Sequence, residues 1–168
     1  PAGVTAEGTY GPLQWKVSEG EDRYRRGLYT FAKRTAPYAM FLTFDAPSGE
    51  ACVARRESSN TPLQALTLLN DAVFVEAAQA LGRLMAAQAG ATTERARYLF
   101  RRVLVREPSA EELPLLVRYW EGQKERLQRR ELDPTQVAGA GPGDGVDRAA
   151  WTLAARSLLN LDEVIVKE

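Results

Sequence analysis

Apolar residues in most of this chain recur at three- and four-residue intervals, and capping chemistry punctuates them. The clearest punctuation is Thr61-Pro62-Leu63-Gln64. Thr61 is an N-cap, Pro62 suits the first helical position, and Gln64 completes a capping box. Leu63, Leu66 and Leu69 follow at helical spacing, and then Asn70-Asp71 interrupts. Two readings of the interruption stand. A new helix is capped there and buries Val73, Ala77, Leu81 and Leu84, or one bent helix runs from Pro62 to about Gln88; Gly90 stops either one. A third helix opens at Thr93-Glu94 with Leu99, Phe100, Val103 and Leu104. It stops at Glu107-Pro108, because the residue before proline disfavours helical geometry. Ser109-Ala110-Glu111-Glu112 is a second capping box. Its helix buries Leu113, Leu116, Leu127 and either Tyr119 or Trp120, with a slight kink at Pro114. Asp147 caps a last helix with Trp151, Ala154, Leu158 and Leu161 on one side.

The N-terminal third has no sustained period. Residues 1–22 carry glycines, Pro12 and the isolated aromatics Tyr10 and Trp15, and read as an extended arm. Arg23 to Arg34 suits a short helix or a strand, and Gly27 weakens the helix. Pro37 ends that segment, Met40 to Phe44 is a short apolar run, and Asp45 to Gly49 is a turn by its chemistry. Asp133 to Gly145 holds two prolines and four glycines with almost no bulk, which predicts a mobile loop over residues 133–146. Every segment with a clear period is helical. The expected fold class is therefore all-α, a helical bundle or array of about five helices with an irregular N-terminal arm. The expected organisation is an arm at 1–22 and a single helical domain at 23–168.

Composition acts mainly by exclusion. Apolar residues at 45% and charged residues at 26% suit a globular chain rather than a disordered one. No histidine is present, which removes the usual general base and every Ser-His or Cys-His mechanism. The single cysteine, Cys52, allows neither an intrachain disulfide nor a cysteine metal cluster, and between Ala51 and Val53 it reads as a small buried hydrophobe. No apolar run approaches the ~20 residues of a membrane span. The chain begins Pro1-Ala2-Gly3, which reads as a piece of something longer or a processed product.

Acidic and basic residues number 22 each, so no global field recruits nucleic acid or acidic lipid. The balance hides an asymmetry. Thr93 to Arg130 has ten Arg/Lys against six Asp/Glu, while Glu131 to Glu168 has three against seven. The two regions attract each other or are simply solvated. Arg95, Arg97, Arg101, Arg102 and Arg106 are scattered around their helix rather than set in a stripe, which speaks against a nucleic-acid partner.

Arg25, Arg26, Arg55 and Arg56 are the candidate anion- or partner-binding residues, because guanidinium forks grip carboxylate, sulfate or phosphate. Alternatively they pair with Asp45 or helix C-terminal carbonyls and pin the irregular arm, whose backbone groups need side-chain partners. Asp45, Glu50, Asp71 and Glu76 show no spacing that demonstrates the paired carboxylates of glycoside hydrolysis. Trp120 and Trp151 sit at core-like positions. No catalytic residue, metal ligand or cofactor is assigned, and the reading leans against an enzyme.

Three stretches together resemble a known family. Tyr24-Arg25-Arg26-Gly27-Leu28-Tyr29-Thr30-Phe31 with Lys33-Arg34-Thr35 is similar to its YRRSLYTFWKRT motif. Thr43-Phe44-Asp45-Ala46-Pro47, Arg55-Arg56, Asn60 to Leu66 and Leu69-Asn70-Asp71 are similar to its central signature, and Ala150-Trp151 through Leu158 to Glu163 to its C-terminus. The family is the planctomycete and verrucomicrobial Domain of Unknown Function 1553, and the resemblance covers roughly residues 20–168. Gly27 stands where serine is usual, Ala32 where tryptophan is usual and Ala72 where proline commonly follows Asn-Asp. The resemblance implies a C-terminal part of a large cytochrome-c-like protein of the periplasm or cell envelope, with the upstream domains of that protein as partners. It transfers no activity. No CxxCH occurs, so no covalent haem is expected in this chain. The expected function is a non-catalytic helical domain that packs against or scaffolds those other domains. The alternative is a fragment of an enzyme, or a binding module for an anionic ligand such as a glycan, using the arginine cluster.

Overall fold

The computed structural model describes residues 18–30, 37–47, 49, 51–55 and 58–166. Among them are helices and turns and no strand, and five helices have seven or more residues. The all-α expectation of about five helices therefore holds. The chain divides into two compact units, residues 1–59 and 60–168. This boundary falls just ahead of the Thr61 cap, whereas the sequence pattern placed it at residue 22. Long helices with buried apolar faces begin only after that cap.

The first unit is described from residue 18, so the arm reading of residues 1–17 lies outside the described residues. Two short 3-10 turns, Gly20–Tyr24 and Gly27–Tyr29, are followed by α1, Ala39–Thr43, and none of the three contains a buried residue. Gly27 lies against Phe41, where an added Cβ would sit 2.9 Å from the ring edge. Phe41 in turn meets Tyr38 edge-on at 5.3 Å. Asp45 occupies the left-handed region at φ 57°, and its carboxylate accepts the Ser59 N–H and O–H, both at 2.8 Å. Cys52 is exposed rather than buried, because it lies outside any regular element that could bury it.

In the second unit the Thr61 capping box forms in both directions: Oγ1 accepts the Gln64 N–H at 3.3 Å and the Gln64 Oε1 accepts the Thr61 N–H at 3.0 Å. It starts α2, Pro62–Asn70. Asp71 accepts the Val73 N–H and caps α3, Ala72–Ala87, so two helices form, not one bent helix. Gly90 lies two residues beyond the Gln88 C-cap. α4 spans Thr92–Leu104 and ends at Val105 in the left-handed region, three residues before Pro108. Ser109 and Glu112 form the second capping box at 2.7 and 3.2 Å ahead of α5, Glu112–Gln128. A Schellman motif closes α5, with left-handed Arg130 bonded to Leu127 and Glu131 bonded to Arg126.

The segment expected as a loop over 133–146 contains α6, Pro134–Ala138, capped by Asp133. The pairing of a cap with proline at the first helical position repeats the logic of Thr61-Pro62. α7, Gly145–Leu159, is capped by Asp144, three residues earlier than expected, and α8 spans Asp162–Ile165.

α7 is the centre of this unit, packed by α3, α5 and α6. Its residues Ala149, Ala150, Trp151, Ala154, Ala155 and Leu158 are buried, whereas Leu161, beyond its end, is exposed. Trp151 packs on Trp120 of α5 with ring centroids 5.0 Å apart. The buried face of α3 is Ala78, Gly82 and Met85, one position round from the expected face, leaving Ala77 and Leu84 exposed. Small residues win that face because α7 approaches closely: a Cβ on Gly82 would meet the Thr152 hydroxyl at 2.2 Å and the Arg148 carbonyl at 2.9 Å. In α2, Gln64 and Leu68 are buried while Leu63 and Leu66 face outward.

Candidate functional site

The four arginines singled out in the sequence belong to the first unit. Arg25 and Arg26 lie between the two 3-10 turns and are exposed, Arg55 is exposed among residues 51–55, and Arg56 lies outside the described residues. Arg25 donates through Nε to Asp22 at 2.6 Å and its guanidinium lies 5.8 Å from the Tyr29 ring. Arg23 stacks likewise on Tyr24 at 5.6 Å. No ion pair of Arg26 or Arg55 occurs among the described residues, and no hydrogen bond joins Arg25, Arg26 and Arg55 to one another. What the 3-10 segment presents is an exposed ridge in which arginines lie beside tyrosines and Leu28. Tyr24 is 59%, Leu28 88% and Tyr29 60% exposed. Gly27 turns towards Phe41, which leaves Leu28 on the outer side.

The pinning role expected of those arginines is filled in the second unit by others. Arg148, at the start of α7, is buried and donates to the carbonyls of Gly139, Gly141, Pro142 and Gly143. Four carbonyls thus wrap one guanidinium and hold the glycine-rich segment against α7. Arg156 donates to the Leu69 carbonyl, one of the unpaired acceptors at the C-terminal end of α2. Arg95 reaches Asp147 at 3.2 Å and lies over the Trp151 ring, while Lys124 reaches the same carboxylate at 3.5 Å and lies over Trp120. One half-buried carboxylate therefore serves two cations, each seated on one ring of the tryptophan pair.

Arg106 grips Glu112 and Glu163 bidentately at 2.7–2.8 Å and lies 4.9 Å from the Phe100 ring. This ties the turn after α4 to the start of α5 and to α8. Hydrogen bonding to Arg106, aided by the Ser109 N–H, holds the Glu112 carboxyl down to about 2, and the two glutamates raise the Arg106 guanidinium above its ordinary value. The charge asymmetry of the sequence is realised in these pairs: Arg95, Arg106 and Lys124 from the basic region meet Asp147 and Glu163 from the acidic one. The Arg148 cage and the Arg156 contact carried no such signal, because their acceptors are backbone.

Two of the four carboxylates weighed for catalysis have local tasks. Asp71 is a cap, Asp45 holds Ser59, and Glu50 lies outside the described residues. Among the described residues no group of three or more Cys, Asp or Glu side chains could hold a metal ion, and no helix is long and apolar enough to cross a membrane.

No curated protein and no solved structure matches the chain. Residues 4–120 match the family model described as Protein of unknown function (DUF1553). The match ends within α5, so the resemblance at residues 150–163 lies beyond it. It spans the 3-10 ridge, both capping boxes and the turn held by Arg106, and on that coverage the chain belongs to the DUF1553 family.

Proposed function

We propose that this chain is a non-catalytic helical domain that packs against upstream domains of a cytochrome-like protein of the cell envelope, using the Tyr24–Tyr29 ridge. The observation that carries this reading is Leu28. At 88% exposed, between two tyrosines near 60%, it places three large side chains in water within six residues. Tyrosine and arginine are the residue types that dominate binding energy at protein interfaces. A ridge of this kind gains by being covered. The second unit is pinned within itself by Arg95, Arg106 and Arg148. The absence of histidine and the local use of Asp45 and Asp71 favour packing over catalysis.

The test is co-purification of residues 1–168 with the upstream region expressed as a separate chain. Leu28→Asp with Tyr29→Ser should abolish it while circular dichroism and melting temperature stay those of the parent, since neither residue is buried. Retained co-purification with the double variant contradicts the reading. The anionic-ligand alternative predicts instead that sulfate or a sulfated glycan binds, and that Arg25→Gln with Arg26→Gln removes that binding.

A further inference from the structure

Where α5 ends and α6 and α7 begin, the second unit carries a cleft of about 580 Å³. That volume falls in the range of small-ligand sites. Leu127, Leu132, Pro134 and Val146 supply the apolar lining, with Leu127 fully buried beneath. Two opposite charges share this lining, Arg130 and Asp133, both exposed at the open rim of the cleft. They do not pair with each other, and neither has an ion-pair partner among the described residues. The neighbouring arginines differ: Arg126 pairs with Glu131, and Arg129 with Glu125 and Glu131.

Both charges stand on fixed backbone. The Schellman bonds hold Arg130 at φ 60°, and Asp133 is locked as the cap of α6, with Oδ1 accepting the Thr135 N–H at 2.8 Å. The second Asp133 oxygen makes no hydrogen bond among the described residues.

We propose that this cleft binds a zwitterionic amino acid with an apolar side chain. The Arg130 guanidinium receives the ligand carboxylate, the free Asp133 oxygen receives the ammonium, and the side chain lies on Leu132, Pro134 and Val146. A ligand carrying one charge leaves either Arg130 or Asp133 without a counterpart. An uncharged apolar ligand leaves both, so the zwitterion is the class that matches the charged and apolar parts of a lining completed by Gln128. The proposal does not depend on the domain-packing reading, which concerns the other unit.

The sequence offers two variants that spare the fold. Arg130→Gly places glycine at a left-handed position that favours it. Asp133→Asn keeps a good N-cap while removing the charge. The experiment titrates L-leucine into residues 1–168 and follows the amide resonances of residues 127–133 and 145–147. Saturable shifts confined to those amides are expected, with a dissociation constant on the order of 0.1 mM. Each variant should weaken binding at least about tenfold, a cost of about 1.4 kcal/mol. Leucinamide and N-acetylleucine, each lacking one charge, should bind correspondingly less. No saturable shift with L-leucine overturns the proposal. So does either variant binding like the parent, or either blocked leucine binding as well as leucine.

Discussion

Gly82 of α3 faces Thr152 of α7 so closely that the missing side chain sets the spacing of the two helices. An added Cβ would overlap the Thr152 hydroxyl at 2.2 Å and press on the Arg148 carbonyl and the Thr152 nitrogen, both at 2.9 Å. Rotating the threonine relieves the first contact, but the other two are backbone. Gly82→Ala should therefore destabilise the protein despite alanine's better helix propensity, by about 2 kcal/mol. Thr152→Ala in the same chain should recover only part of the loss. A denaturant midpoint for Gly82→Ala equal to the parent's would mean that α3 and α7 do not meet here.

Arg148 holds the segment between α6 and α7 through four carbonyls. Lysine cannot reproduce that fork, and removal of the guanidinium releases all four carbonyls at once. Arg148→Met should therefore bring proteolytic cleavage within residues 139–143 well before any cut in α3 or α7. Equal resistance in parent and variant would show that the glycine-rich segment holds its place without Arg148.

The Glu112 carboxyl titrates at about 2 in the folded chain against 4.5 for an unperturbed one. Its folded value is depressed, so its contribution to stability is full above the unfolded value and is lost as pH falls from 4.5 towards 2. Exposure of the pair to solvent keeps the contribution modest. Melting temperatures of parent and Glu112→Gln should differ most at pH 6 and converge by pH 2. A difference that does not narrow with acid would contradict the Arg106 pairing.

Val105 is a β-branched residue in the left-handed region, and its side chain is 72% exposed. Little packing is lost with that side chain, and glycine relieves the strain. Val105→Gly should raise stability by about 1 kcal/mol. A lower denaturant midpoint would place the weight of this turn on the valine side chain.

Thr61→Ala should cost about 1 kcal/mol, because both halves of the Thr61–Gln64 box are present. An unchanged denaturant midpoint would mean that the box does not hold the start of α2.

The parts of this fold that are legible in the sequence are those decided within four residues. Thr61 with Gln64 and Ser109 with Glu112 identify helix starts because each box is closed by its own neighbours. Asp144 and Asp147 both fit a cap, and their assignment depends on distant partners: Asp147 is drawn to Arg95 and Lys124, which leaves Asp144 to the helix end. The Asp133-Pro134 start was equally local, but the glycines after it suggested a loop throughout. Faces were less legible than ends. Leu84 carries the stronger hydrophobic signal than Gly82, yet Gly82 is buried because only it admits Thr152. For the candidate site, the exposed 3-10 ridge was legible as a motif but not as a surface. The turn of Gly27 towards Phe41, which leaves Leu28 outside, is a contact between residues fourteen apart.

The most direct test of the packing account is amide hydrogen exchange over residues 20–30, measured in residues 1–168 alone and in a longer chain that adds the proposed upstream domains. The account predicts slowing of at least about tenfold at Leu28 and Tyr29 in the longer chain, as the ridge becomes covered. Equal exchange rates in the two settings would contradict it.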